Sequence, residues 1–302
     1  MTAPRQLPEW MQRKERGNLL ALRVMTALSL GLGRRLSRVI VVGISLYFLV
    51  AAQAARRASR AYLTRCLGRR PTWRELFRHM FTFATTVHDR LYLLNDRAEV
   101  FDVHCVGEAP GGAAGGFLFG AHLGSFEVLR AAARWDARDK VCVAMYPENA
   151  RQINQALAAI NPQAVSNIIP LGQMDSILSI HDKLQDGAMV GILADRAAGQ
   201  DQYVSVPFLG APASFPVGPF RLAAMMGCPV YFMAGLYQGG NRYDVHFELL
   251  MDTADKAGRN RDTLMRELLA RYVAALERHC RQAPYNWFNF YDFWGDPHLG
   301  AH

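Results

Sequence analysis

Cysteine is scarce and unorganised in these 302 residues. The five cysteines, at 66, 105, 142, 228 and 280, are odd in number and widely separated, with no spacing that would gather metal ligands. That excludes a disulfide framework and a thiolate metal centre, and it predicts reduced thiols in a cytoplasm-facing domain. Internal repeats and low-complexity segments are absent, and about half the residues are apolar. A chain of this length can therefore bury a substantial core as one large domain with an appendage. Acidic residues are sparse in the first third: residues 1–100 hold 18 Lys/Arg against 6 Asp/Glu, whereas the remainder holds 16 against 20. The arginines of that third flank apolar segments and do not interleave with exposed aromatics. This pattern turns the reading away from nucleic acid and toward an anionic membrane surface or an acidic protein partner.

Long uncharged runs are also few. Residues 39–55 hold no charge, and these 17 residues would reach roughly 26 Å as one helix, borderline for crossing a bilayer. Arg34, Arg35 and Arg38 precede the run and Arg56, Arg57 and Arg60 follow it, so the positive-inside rule sets no orientation. An apolar helix is expected before it, from Asn18 to Leu30, with Gly31-Leu32-Gly33 turning the chain. We read residues 1–60 as membrane-associating helices embedded in, or lying along, the inner face of the cytoplasmic membrane. A single span and a pair of sheet-covering core helices are the alternatives. Residues 61–302 read as the α/β domain. Between the two, residues 56–97 carry Tyr62, Trp73, Phe77, Phe81 and Phe83 at helical spacing and predict amphipathic linking helices.

From residue 101 onward strands alternate with helices. Strands are expected at Phe101–Val106, Gly116–Gly120, Val141–Met145, Asn167–Leu171, Met189–Ala194, Pro229–Leu236 and Tyr243–Leu250. Helices are expected at Ser125–Trp135, Glu148–Ile160, Asp175–Leu184, Phe220–Met226 and Arg261–Arg281. Such alternation predicts a largely parallel sheet flanked by helices on both faces. Ligands of these sheets bind beyond the carboxyl ends of the strands, where both His122 and Asp195 fall.

The stretch Gly115 to Glu127 is the most informative one. A short apolar strand leads into a glycine-rich turn that delivers His122, and a helix carrying Glu127 follows. A histidine titrates near neutrality, and a helix start offers N–H groups to developing negative charge. Residues five apart on an ideal helix do not face each other, so His122 meets Glu127 only if it precedes the first turn. The glycines at 120 and 124 permit that. Alternatively, Glu127 serves the helix dipole alone.

This His-x-x-x-x-Glu stretch resembles the corresponding block of the lysophospholipid acyltransferase superfamily, most closely its bacterial lipid A biosynthesis acyltransferase branch. Further blocks resemble that branch in order: Met189 to Arg196, Val206-Pro207-Phe208-Leu209-Gly210, Pro216-Val217-Gly218-Pro219 and Gly227-Cys228-Pro229-Val230. The resemblance implies transfer of a fatty acyl group from an acyl carrier protein or coenzyme A thioester to a hydroxyl or amine of a lipid acceptor, without cofactor or metal. His122 would be the general base and Glu127 its support. Backbone N–H groups near Leu123 and Gly124 would bind the oxyanion, and Ser125 would act as a helix-start hydroxyl, not as a nucleophile. Arg196, beside Asp195, is the expected contact for a substrate anion, with a structural Asp–Arg pair as the alternative. Arg151 is carried as a further substrate contact. A basic rim would also suit acyl carrier protein, which is acidic.

The tail Pro284 to Trp294 holds seven aromatics in eleven residues. It is expected to line an acyl groove, to sit at the membrane interface, or to pack on the core. Here the chain departs from the lipid A branch, which continues its Trp block with arginines. The departure points to a less anionic acceptor. A late acyltransferase of lipid A, an enzyme acylating a non-phosphorylated lipid such as an amino-acid or aryl-polyene lipid, and a non-catalytic lipid-binding membrane protein stand as alternatives.

Overall fold

The computed structural model describes residues 19–108, 110, 115–128, 141–145, 160, 168–172, 174–196, 201–253 and 259–295. Residues 148–159 of the expected helix 148–160 and 129–135 of the expected helix 125–135 lie outside the described residues, as does Arg151.

The centre of the molecule is β2 (Gly116–Gly120), whose residues are all buried. A strand covered on both faces reads as a continuous apolar run, and Gly-Phe-Leu-Phe-Gly is one. It is joined by β1 (Asp102–Val106), β3 (Val141–Met145), β4 (Ile168–Pro170), β5 (Met189–Leu193), β8 (Pro229–Gly239) and β9 (Arg242–Asp252) in a seven-stranded sheet ordered β1-β9-β8-β2-β5-β3-β4. All neighbouring pairs run parallel except the β8–β9 hairpin. The largely parallel sheet expected from the alternation is therefore present. Helices α5 (Met174–Gln185), α6 (Gly218–Met226) and α7 (Arg261–Gln282) follow β4, β7 (Ala211–Pro216) and β9.

Side chains alternate across β2, as the pleat requires. Phe117 and Phe119 join the larger apolar cluster, where Phe119 meets Phe220 of α6 and Tyr272 of α7 edge-on. Leu118 enters a second cluster with Val128, Met189 and Met233. Each buried phenylalanine contributes roughly 1.5–3 kcal/mol. Tyr272 also donates its hydroxyl to Gly120 O at 2.8 Å, tying α7 to the strand end. The five cysteines are free thiols, and only Cys105 is exposed.

One hairpin had no forecast from periodicity: β6 (Tyr203–Phe208) and β7 (Ala211–Pro216) form a separate antiparallel pair. Its tip, Leu209-Gly210, has positive φ at both residues (49° and 80°), the turn that matches strand twist. Leucine is unfavourable there, and Glu277 of α7 holds the turn by accepting the Leu209 N–H at 2.7 Å.

The N-terminal run does not form one rod. Helices α1 (Leu19–Leu32) and α2 (Arg34–Ala51) precede a break at Ala52, and α3 (Gln53–Leu67) leaves at 92° to α2. Arg56 crosses the elbow and donates Nη1 to the terminal carbonyls of Leu49 and Val50 at 2.6 and 2.9 Å. Among the described residues no single helix is long and apolar enough to cross a membrane, although the bent α2–α3 pair together has the length and composition. Helix α4 (Trp73–Leu93) starts with a capping box between Thr72 and Glu75.

The faces of α2 are inverted relative to a water-soluble helix. Arg34, Ser37, Val41, Ser45 and Leu49 point inward, whereas Leu36, Val39, Leu46, Tyr47, Phe48 and Val50 are exposed. The buried Arg34 grips Asp89 of α4 with Nε and Nη2, both at 2.7 Å, and Tyr243 of β9 donates its hydroxyl to Asp89 at 2.7 Å. Burial would raise the Asp89 pKa, but His88, Arg34 and Tyr243 outweigh it and hold the carboxyl below its usual range. The N-terminal helices are thereby fixed to the sheet.

Candidate active site

The loop after β2 is shaped by two glycines that let two backbones touch. Gly124 has φ +74°, and a Cβ there would overlap the carbonyl oxygen of Gly235 in β8. Ser125 N–H donates to that same oxygen at 2.8 Å. On the other side the C-terminal segment straps the loop: Phe288 N–H donates to His122 O at 2.7 Å, and Gly124 N–H to Asn286 O at 2.8 Å. Leu123 and Trp287 lie opposite each other as an antiparallel bridge. Asn286 is itself pinned by both backbone groups of Tyr237, accepting its N–H at 2.8 Å and donating to its carbonyl at 3.2 Å. His122 is thus held by a strand end, a glycine contact and a strap.

Behind the ring stands Asp195, two residues past the end of β5. Its Oδ1 lies 2.8 Å from His122 Nδ1, and its Oδ2 accepts the His122 backbone N–H at 3.0 Å, Trp287 Nε1–H at 3.2 Å and an Asn289 Nδ2–H at 3.0 Å. The carboxylate side chain is fully buried. Burial opposes its ionisation, but the His122 ring, Arg196 and the hydrogen bonds prevail and hold its pKa well below the usual carboxylate range. An ionised Asp195 accepts only, so Nδ1 carries the proton and Nε2 the lone pair. The imidazole pKa is lowered, first by desolvation and then by the charge of Arg196, against the pull of Asp195; Arg90 lowers it further. About 30% of the ring side chain is open to solvent. The site therefore presents a neutral, oriented and accessible imidazole, the form of a general base.

The positions expected from sequence divide between this centre and its surroundings. Asp195 and Arg196 both reach His122: Arg196 Nε lies 2.9 and 3.1 Å from the two ring nitrogens, and its guanidinium is 5.7 Å from the Tyr291 ring. Glu127 does not hold the imidazole; its Oε1 pairs with Arg90 Nε at 2.6 Å, and its Oε2 accepts Ser125 Oγ–H at 3.4 Å. Helix geometry explains the difference, because Glu127 opens the helix and faces α4 while Asp195 comes from the neighbouring strand end. Gly124 positions the loop, but its N–H is committed to Asn286 and does not serve an oxyanion. The Leu123 N–H makes no hydrogen bond to the described residues.

Trp287, Asn286 and Asn289 were missed as site residues. The signal lay in the tail: two asparagines set among aromatics, in a segment where apolar packing alone would need no amide. Of the three roles expected for this tail, Trp287 takes the packed one and is fully buried. Among the described residues, no group of three His, Cys, Asp or Glu side chains is arranged to hold a metal ion.

An imidazole backed by a buried carboxylate at a strand end can take a proton from a hydroxyl or amine as it attacks an activated carbonyl. A comparison with curated proteins finds no match. A family model does match, that of bacterial lipid A biosynthesis acyltransferase, over residues 19–295. That span takes in the N-terminal helices, the His122 loop, Asp195 and the strap. The chain belongs to the bacterial lipid A biosynthesis acyltransferase family, enzymes that transfer acyl groups to lipid acceptors.

Proposed function

We propose that the protein moves a fatty acyl group from an acyl carrier protein or coenzyme A thioester to a hydroxyl or amine of a lipid acceptor, at the cytoplasmic face of the inner membrane. The observation that carries this reading is the contact of His122 Nδ1 with the buried Asp195 carboxylate, which leaves Nε2 facing outward as the base. In the resting site Arg196 Nε lies across the ring, 2.9 Å from Nδ1 and 3.1 Å from Nε2, and covers that nitrogen. The acceptor hydroxyl or amine takes this place, and Nε2 removes its proton as the acceptor attacks the thioester carbonyl. The new C–O or C–N bond forms, a tetrahedral oxyanion develops, and the Leu123 N–H and the displaced Arg196 guanidinium stabilise it. Collapse breaks the C–S bond, and the imidazolium returns its proton to the departing thiolate. Asp195 stabilises the imidazolium between these steps without taking its proton.

Membrane association is supported by the inverted faces of α2. An exposed apolar row on a helix whose inner face holds Arg34, Ser37 and Ser45 fits a bilayer contact better than water. Arg56, Arg57 and Arg60 lie just past the elbow and suit anionic headgroups.

The test is a transfer assay in detergent or on vesicles with labelled acyl carrier protein and coenzyme A thioesters, a panel of bacterial lipids, and the variants His122→Ala and Asp195→Ala. Wild-type transfer that falls in His122→Ala by at least about 10³-fold, with the fold retained, is the expected result. Equal rates for the wild type and His122→Ala overturn the site. Tight lipid binding without transfer to any acceptor replaces the enzyme reading with a lipid-binding one.

A further inference from the structure

The acyl-transfer reading leaves the Glu127 carboxylate without a role at the imidazole, and its actual partner assigns it another. Resting on that reading, we infer that Arg90 and Glu127 form a seat for a substrate phosphate, with Glu127 a positioning residue that acts through Arg90. Arg90 stands in the last turn of α4, and its Nε is anchored on Glu127 Oε1 at 2.6 Å. Glu127 is largely covered (14% exposed) while Arg90 is 38% exposed, so the carboxylate is the anchor and the guanidinium is presented. No side-chain nitrogen of Arg90 hydrogen-bonds to a described residue; its covered Nε is held to Glu127 as an ion pair, and the two terminal nitrogens are uncommitted. A planar guanidinium fixed at one edge and open at the other matches two oxygens of a phosphate. The contrast with Arg34 is instructive, because that guanidinium is buried and spends both Nε and Nη2 on Asp89.

The surroundings define what carries the phosphate. Phe83, Val87 and Arg90 lie at i, i+4 and i+7 on one stripe of α4, and both Phe83 and Val87 are exposed. Phe83 meets the rings of Phe288 and Phe290, each at 5.3 Å, and Phe288 N–H bonds to His122 O. An apolar stripe ending in a cation beside the base fits an amphiphile, its chain along α4 and its phosphate at Arg90. Two substrates of the reaction could supply that chemistry: a phosphate in the acceptor headgroup, or the phosphopantetheine phosphate that leads to the acyl chain of the donor. Ser125 Oγ–H on Glu127 Oε2 keeps the carboxylate turned toward Arg90.

The experiment measures kcat and KM for donor and acceptor separately in wild type, Arg90→Ala and Glu127→Gln, and follows the His122 titration by NMR in wild type, Glu127→Gln and Asp195→Asn. Arg90→Ala is expected to raise one KM by about 10-fold or more with kcat within about 3-fold. The substrate whose KM rises identifies the source of the phosphate. Glu127→Gln is expected to move the same KM in the same direction by less, and to shift the His122 midpoint less than Asp195→Asn does. A Glu127→Gln variant that loses kcat as fully as Asp195→Asn, with KM unchanged and an equal shift of the His122 midpoint, overturns the assignment. If the wild type transfers no acyl group, the acyl-transfer reading fails, and the seat is decided by binding. Monomeric lysophosphatidic acid should then bind wild type more tightly than monoacylglycerol does, with the difference lost in Arg90→Ala. No difference in wild type, or one that survives in Arg90→Ala, overturns the seat.

Discussion

Replacing Asp195 by asparagine keeps the shape of the site and changes one atom's chemistry. Oδ2 faces three donors, the His122 backbone N–H, Trp287 Nε1–H and Asn289 Nδ2–H. An amide nitrogen cannot sit there, so the asparagine oxygen takes that position and its NH2 is turned to His122 Nδ1. Two donors cannot share the 2.8 Å contact now held by a donor and a carboxylate. The ring answers by moving its proton to Nε2, which disarms the base. A tautomer error of this kind costs on the order of 10³–10⁴ in kcat.

Stability responds much less. Three hydrogen bonds to a charged oxygen become bonds to a neutral one, each weaker by about 1 kcal/mol, and release from burying a carboxylate offsets part of this. The net loss is about 1–3 kcal/mol, a melting shift of several degrees. Single-turnover acyl transfer gives the first quantity, thermal unfolding the second, and the 15N shifts of the His122 ring report the tautomer. A variant with kcat within about 5-fold of wild type and the proton still on Nδ1 refutes the reasoning. So does a variant that loses activity only because it unfolds.

Two other outcomes follow from the geometry. Gly124→Ala forces a Cβ into the Gly235 carbonyl at φ +74°, and the left-handed backbone plus this overlap costs about 3 kcal/mol or more; a variant with wild-type melting temperature and wild-type transfer contradicts the account of the loop. His79 is fully buried between Ser59 Oγ and Trp287 O, at 2.8 Å from each, and burial pushes its pKa down to about 4. The unfolded chain, titrating near 6.5, then binds more protons between about pH 4 and 6.5, so stability rises with pH across that window and is level above it. Acidification from pH 7 to 5 should remove about 2 kcal/mol, read as a lower urea midpoint. A midpoint unchanged with pH, or a dependence identical in His79→Gln, contradicts this.

The sheet was legible because its strands are short, apolar and separated by helices, and the observed bounds of β2 and β3 match those expected. The N-terminal run was not, because hydropathy carries no information about where an uncharged helix bends. At the elbow Arg56 reaches back to the Leu49 and Val50 carbonyls, a contact that hydropathy does not encode. The β6–β7 hairpin was hidden by its turn, which uses leucine at a position where asparagine or aspartate would have announced it. At the site, His122 was legible from local pattern and Asp195 from its strand end. Their meeting was not, because sequence spacing favoured Glu127, five residues away, over a carboxylate 73 residues away. Adjacent parallel strands bring their carboxyl ends together whatever the separation in sequence, and β2 and β5 are such neighbours.

That pairing also changes what the tail says about the acceptor. Read from sequence, Asn289, aromatics and Asp292 in place of arginines after Trp287 pointed to a less anionic acceptor. In the structure Asn286 spends its side chain on the Tyr237 backbone, and Asn289 and Trp287 spend theirs on Asp195. All three point into the protein, and a guanidinium at position 289 would place a further positive charge against the Asp195 carboxylate and depress the His122 pKa further. Of the positions after Trp287, Asn289 is accounted for by its bond to Asp195, and the expectation about the acceptor rests on Phe290, Tyr291 and Asp292. Among the described residues, Arg196 stands against the His122 ring and Arg90, partly exposed, at the end of the Phe83–Val87 stripe. On the acyl-transfer reading, a substrate phosphate, whether of the acceptor or of the donor, has these two guanidiniums to meet, one beside a strand end of the sheet and the other on α4.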